Sequence, residues 1–317
     1  MKIHLPNSAF IGNIDPFLRS IDTSNPTILE ITANKNWVSV HPVILTMLAA
    51  KAREVGHQHV KLEEFTAKSR NYFERMHLFQ FLDPSQAHTI TEREPSGRFI
   101  PITQIRDSIA LSNFVTDMIP LLHLPPHQAE PIRYVVSELV RNVLEHASTK
   151  HGAFVAAQYY PKSNAIKIGV ADTGVGIKAT ISRSHSVKTD LEAIHLALQP
   201  GITGTTSREG GTSQNAGAGL FFIKSIAHVN QSLFMLYSGQ GFYKLRKNTK
   251  KSLPIDPWKD NHTKHNNLPP WDGTIVAVDI SLDNTPEFTS LLDLIRRSYT
   301  QAIKARRQAR YRKPKFI

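Results

Sequence analysis

The sequence predicts an α/β protein built from two units. Three observations carry this reading. Strand-like and helix-like segments alternate through the first hundred residues; a second region mixing hairpin-paired strands with amphipathic helices begins near residue 104; and the span 84–103, with Pro84, Pro95 and Pro101, reads as a linker or edge segment between them. At 317 residues and 40% apolar content the chain has room for about two folded domains.

In the first unit, "TILEITA" (27–33) reads as a buried strand. "HPVILTMLAAKAREVG" (41–56) reads as a helix: Pro42 suits the first turn, Ile44, Leu48 and Ala52 recur at helical spacing, and Gly56 is a stop. "HVKLEEF" (59–65) predicts a second strand and "AKSRNYFERMHLFQFL" (67–82) a second helix. In the second unit, "QIRDSIALSNFVTDMIPLL" (104–122) predicts an amphipathic helix, "LPPHQAEP" a loop, and 131–147 a helix with the apolar stripe Ile132, Val136, Leu139, Val143 and Ala147. "GAFVAAQYY" and "AIKIGVAD" are strands joined by "PKSN", a hairpin signal. A Gly/Ser/Thr-rich stretch ends in "NAGAGLFFIKSIAHV", which opens a helix. "SLFMLYS", "GFYKL" and "GTIVAVDISL" predict strands, 246–270 a polar loop, and 286–310 a basic helix.

Composition narrows the function classes. The absence of cysteine excludes a disulfide framework. The first residues lack the basic-then-apolar pattern of a signal peptide. The longest apolar run, "WVSVHPVILTMLAA", is interrupted by His41 and Pro42, so no membrane span is expected and the reading is a soluble, cytoplasmic protein. The net charge of +12 is localised: nine basic residues and no acid follow Asp293, and five more lie in "KLRKNTKK" (244–251), leaving the remainder close to neutral. Such a tail is either a solvated end or a contact for nucleic acid or an acidic partner.

Three polar marks stand out. Glu138 and Asn142, four residues apart, share a helix face distinct from the apolar stripe. In "VADTGVGI" (170–177) a strand delivers Asp172, an acceptor for a donor such as an exocyclic amine, followed by Gly174 and Gly176, which allow a tight turn and close backbone approach. In "NAGAGLFFIK" (215–224) Gly217 and Gly219 open a helix whose free N–H groups favour an anion. Each alone has an ordinary structural explanation: a surface pair, a plain turn, a loop before a helix. The glycine pair is neither a Walker A loop nor a dinucleotide fingerprint.

In this order, and followed by Gly273–Thr274 at the start of a strand, the marks resemble the GHKL ATPase superfamily over about 105–285. That group includes gyrase, the ninety-kilodalton heat-shock chaperone, histidine kinases, mismatch-repair ATPases and anti-sigma-factor serine kinases; the stretch before Leu220 looks most like the lid of short bacterial kinase-like members. The resemblance implies a Bergerat-type α/β sandwich, a mixed, mostly antiparallel sheet with helices on one face, that binds ATP and Mg²⁺. It implies that Asn142 holds Mg²⁺, Glu138 activates the attacking water or hydroxyl, and Asp172 accepts from the adenine amine. Gly174, Gly176 and Ile177 would lie at the base, Gly217, Ala218, Gly219 and Leu220 at the phosphates, and Thr274 beside Asp172 or a base-bound water. Residues 178–216 would form the lid, with Arg208 a candidate phosphate clamp.

The first unit loosely resembles a STAS-type domain, as in anti-sigma-factor antagonists, but only Ser39 offers a hydroxyl near the first helix, which puts a phosphoacceptor role in doubt. The expected division is 1–100 small α/β unit, 101–290 ATP-binding unit and 291–317 basic helix and tail. No long heptad pattern indicates a dimerising hairpin with an acceptor histidine, and His146 reads as a local contact. "HTKH" (262–265) lacks a second pair to complete a metal site. The function expected is regulatory: lid closure over ATP, with hydrolysis or phosphoryl transfer, controlling a protein partner, with a homodimer possible. The alternatives are a non-catalytic ATP-binding module and a nucleic-acid-associated ATPase acting through the tail.

Overall fold

The computed structural model describes residues 1–86, 98–202, 204, 219–247, 253–283 and 288–311. The first unit contains β1 (Lys2–Leu5), β2 (Ser8–Ala9), α1 (Asp15–Arg19), β3 (Leu29–Ala33), β4 (Ser39–Val40), α2 (Pro42–Val55), β5 (Val60–Leu62), α3 (Arg70–Arg75) and α4 (Leu78–Leu82). Strands β1, β3 and β5 form a parallel sheet in that order, and β2 pairs with β4, also in parallel.

The second unit contains β6 (Phe99–Ile105), α5 (Ser108–Asn113), α6 (Pro126–His146), β7 (Ala153–Tyr160), β8 (Ala165–Ala171), α7 (Gly176–Ile181) and α8 (Asp190–Ala197). It continues through α9 (Gly219–Val229), β9 (Phe234–Gly239), β10 (Gly241–Leu245), β11 (His262–His265), β12 (Trp271–Ser281) and α10 (Phe288–Tyr311). Its seven strands run in the order β11-β10-β9-β12-β8-β7-β6, and every neighbouring pair is antiparallel.

The large sheet is buried on both faces, so its strands alternate between two cores. Ile275 and Ala277 of β12 join one core, with α2; Val276, Val278 and Ile280 join the other, with α6, α9 and α10. Strands β7, β8 and β9 divide in the same way. Helix α2 is therefore enclosed: Pro42 through Ala52 are buried without interruption, more than its one-sided spacing predicts, because it packs against both the small sheet and the back of the large one. Gly169 of β8 permits this approach, since a Cβ there would stand 2.3 Å from the Val43 nitrogen. Polar contacts fasten the units together. His41 caps α2 by accepting from the Val43 N–H at 3.1 Å and meets Asp279 Oδ1 through Nε2 at 3.1 Å, while Lys167 donates to Asp279 Oδ2 at 2.7 Å. Lys244, one of the cations of "KLRKNTKK", is buried in β10 and paired with Asp15 of the first unit.

Several sequence expectations are corrected. The helix expected from Pro131 starts at Pro126, which takes the first-turn position; buried Pro131 lies inside it, one backbone donor being forgone for apolar contact. The single helix over 67–82 is two, α3 and α4, divided where His77 takes a left-handed backbone (φ 61°). The helix over 104–122 begins at Ser108, capped by Asp107, and continues as a π-turn and a 3-10 turn; residues 104–105 belong to edge strand β6. "HTKH" is strand β11, paired with β10, rather than loop. Among the described residues no group of side chains suits a metal cluster and no helix is long and apolar enough to cross a membrane.

His41→Ala removes a helix cap and leaves the Asp279 carboxylate with one partner fewer, so unfolding in urea at pH 8 is expected to show a loss of about 2 kcal/mol. Burial holds the His41 imidazole below its ordinary pKa against the opposing pull of Asp279. The folded state thus binds fewer protons than the unfolded chain, and wild-type stability falls as pH drops through the ordinary imidazole value of about 6.5. The gap between wild type and variant should narrow below that pH; equal stabilities at pH 8 would refute the role given to His41.

Candidate functional site

A cavity of about 410 Å³ opens between α6, α7, α8, the first turn of α9 and the neighbouring ends of β8 and β12. Its inner end is set by strand register. Ala171 of β8 pairs with Ile275 of β12, so the next residue, Asp172, lies beside Thr274 and donates its backbone N–H to the Thr274 carbonyl at 3.0 Å. The Asp172 carbonyl accepts from Trp271 Nε1 at 3.0 Å. Its Oδ1 accepts from the Gly174 N–H at 2.7 Å. Burial pushes this carboxyl up to about 7, against the Gly174 and Thr274 backbone contacts.

The turn after Asp172 is held by close contacts that exclude side chains. A Cβ on Gly174 would fall 2.1 Å from the Ala147 carbonyl oxygen at the end of α6, which accepts from the Val175 N–H at 2.8 Å. Gly176 has a positive φ of 75° and faces Ser238. The Ser238 hydroxyl accepts from the Ile177 N–H at 2.9 Å and donates to the Gly273 carbonyl at 2.7 Å, joining the Asp172 turn to the start of β12.

At the middle of the cavity α6 meets α9. A Cβ on Gly219 would stand 2.9 Å from Glu138 Oε2 and 3.4 Å from the Asn142 amide nitrogen, so the α9 N-terminus, Glu138 and Asn142 converge. The Asn142 side chain has no hydrogen bond among the described residues. Glu138 Oε1 accepts from Arg141 Nη1 at 2.8 Å, and burial nevertheless raises the Glu138 carboxyl, outweighing Arg141. An acid of raised pKa beside an unengaged amide oxygen and a helix N-terminus suits an anionic ligand with a hard cation; Mg²⁺ takes few protein oxygens, and Asn142 offers one. One turn before Glu138, Tyr134 lines the outer end together with Arg296 of α10.

Two anchors back the walls. In α9, Lys224 Nζ lies 2.6 Å from Asp260 Oδ2 and His228 Nδ1 lies 2.8 Å from Asp260 Oδ1, with the Lys224 and Asp260 side chains fully buried. In α8, His195 meets Asp256 at 2.9 Å and stacks on Trp258 with centroids 4.2 Å apart.

Glu138, Asn142, Asp172, Gly176, Ile177, Gly219, Leu220 and Thr274 thus line one cavity, as do Thr180, Ala197, Ile202 and Gly204 from the expected lid. Gly174 stands behind the wall, against Ala147, rather than in the lining. Gly217, Ala218 and Arg208 lie outside the described residues. Tyr134, one helical turn before Glu138, and Arg141, its i,i+3 partner, carry a local signal that the sequence expectations did not use; for Ser238, Trp271 and Arg296 only tertiary contact gives one.

Residues 106–232 match the family model described as histidine kinase-like ATPase domain. A comparison with curated proteins finds no match to the chain.

Asp172 yields a stability test independent of any ligand. Its folded pKa lies above the unfolded value, so the folded state binds the extra proton and this group's contribution to stability declines as pH rises from about 4 through 7. Asp172→Asn, which keeps the oxygen that accepts from Gly174, carries no such cost. Urea unfolding should show the variant gaining on wild type by a few kcal/mol between pH 4 and pH 8; a pH-independent difference would refute the buried-carboxylate assignment.

Proposed function

Residues 106–232 are a histidine kinase-like ATPase domain, and from that premise we propose that the chain binds Mg·ATP and uses it to control a protein partner. The observation that carries this reading is the convergence of Glu138, Asn142 and the α9 N-terminus at one part of a cavity whose inner end holds the buried carboxyl of Asp172. Asp172 accepts from the adenine amine, with Thr274, Gly176 and Ile177 around the base and Trp271 and Ser238 fixing the turn behind it. The N–H groups of Gly219 and Leu220, with Gly217 and Ala218 before them, receive the phosphates. Asn142 supplies an oxygen to Mg²⁺, which when bound neutralises phosphate charge. Glu138, its basicity raised by burial, takes a proton from the attacking water or hydroxyl. Closure of residues 178–216 over the ligand alters the surface offered to the partner. The division of the chain at about residues 100 and 290, the STAS-like reading of the first unit, a cytoplasmic setting and a homodimer belong to the same proposal.

The Glu138–Arg141 ion pair favours a second reading, in which ATP is bound but not turned over. A third, nucleic-acid association through the basic tail, rests on the charge of the residues after Asp293.

Calorimetric titration with a non-hydrolysable ATP analogue is expected to show Mg²⁺-dependent binding that Asp172→Asn reduces at least tenfold, by loss of a charge-assisted hydrogen bond. Glu138→Ala should bind nucleotide within about twofold of wild type and lose turnover by about a hundredfold or more. Equal turnover in wild type and Glu138→Ala would overturn the base assignment, and near-zero values in both would select the binding-only reading. No analogue binding to folded wild type would overturn the proposal.

A further inference from the structure

We propose that Arg296, delivered by the C-terminal helix from outside the matched domain, contacts the terminal phosphate of the nucleotide and distinguishes the triphosphate from the diphosphate. The inference rests on the ATP-binding reading above and assigns a further residue to that site.

The argument begins with direction along α6. Its residues follow the cavity from Ala147, where the Asp172 turn docks, through Asn142 and Glu138, where Gly219 docks, to Tyr134. A nucleotide with its base at Asp172 and its phosphates at the α9 N-terminus therefore points its terminal phosphate toward Tyr134. One helical turn separates Tyr134 from Glu138, about 6 Å along the axis, within the reach of an extended arginine. Arg296 lines the cavity there, and its charge acts on the Tyr134 hydroxyl, partly offsetting the rise that burial imposes.

Two guanidinium groups line the cavity among the described residues, Arg141 and Arg296. They differ in their engagement. Arg141 is 2.8 Å from Glu138. Arg296 makes a 3.3 Å contact with Asp293 across a surface where both side chains are more than half exposed, at 63% and 52%. A pair so exposed contributes little, so the guanidinium can turn inward at small cost. Its backbone is fixed nevertheless. Phe288, Leu291 and Ile295 of α10 are buried, Phe288 packs 5.7 Å from the Tyr134 ring, and Tyr299 packs 6.0 Å from Phe222 of α9. The helix that presents Arg296 thus rests on the two helices that form the phosphate end. A planar, permanently charged fork suits an anion with several equivalent oxygens.

The test is calorimetry on the full chain with a non-hydrolysable ATP analogue and with ADP, both with Mg²⁺. Arg296→Ala should weaken the triphosphate about tenfold and leave ADP within about twofold. Arg296→Lys should recover part of the loss, keeping charge without the fork. Arg297→Ala is the control: Arg297 is exposed and shares with Arg296 the shallow groove beside Thr300 and Lys304, but unlike Arg296 it does not line the cavity. It should bind both nucleotides as wild type does. An unchanged triphosphate affinity in Arg296→Ala, an equal loss for ADP, or an equal effect of Arg297→Ala would overturn the inference and leave the ATP-binding reading intact. Wild type that binds neither nucleotide would overturn both.

Discussion

The structure depends on one constraint: a seven-stranded sheet with no solvent face. Side chains on its central strands alternate between two apolar cores, and each core needs its own cover. Helices α6, α9 and α10 supply one and α2 supplies the other. The first unit is thereby part of the sheet's packing, and removing it would expose Phe154, Ala156, Ile275 and Ala277 together. The polar contacts across this seam, His41 on Asp279 and Lys244 on Asp15, with Lys167 of the same sheet as the second partner of Asp279, satisfy polar groups that the close packing takes out of water.

The candidate site follows from the same register. Because β8 and β12 are antiparallel neighbours, the residue leaving one strand meets the residue entering the other, which sets Asp172 beside Thr274. Burial then raises the Asp172 carboxyl, and the glycines on either side let main chain approach where a Cβ would collide. Ser238 and Trp271 hold this arrangement without reaching the ligand space themselves. The cavity is thus a by-product of strand pairing at its inner end and of helix packing where α6 meets α9.

Much of this was legible in sequence where a local pattern carries the information. Asp172 follows an unbroken apolar run and precedes two glycines, so its place at a strand end was visible; Glu138 and Asn142 were visible as a second face on a helix whose apolar stripe was clear. Other features carry no local signature. Trp271 and Ser238 act through register between strands far apart in sequence. Arg296 sits in a basic helix that reads as a tail until its apolar residues are seen against α6 and α9. Strand β11 is polar because it is an edge, and its alternation is too weak to separate from a loop. The start of α6 lies five residues before the predicted one, because Pro126 takes the first-turn position and Pro131 is carried inside the helix. The enclosure of α2 could not be read from its spacing, since a one-sided stripe does not announce a second covering sheet.

The two anchors behind the cavity walls differ in kind. The pair that fastens α9 is sealed from water, with both side chains at 0% exposure, whereas the pair that fastens α8 leaves 24% of His195 and 41% of Asp256 open. Sliding α9 would strand a buried charge, which costs several kcal/mol, while parting α8 from its support lets water take over the contact. The cavity is in mechanical terms a vice with one fixed jaw. The fixed jaw carries the N–H groups of the first α9 turn, and the compliant jaw carries Ala197. The difference in anchoring makes α8, rather than α9, the wall that is displaced at smaller cost.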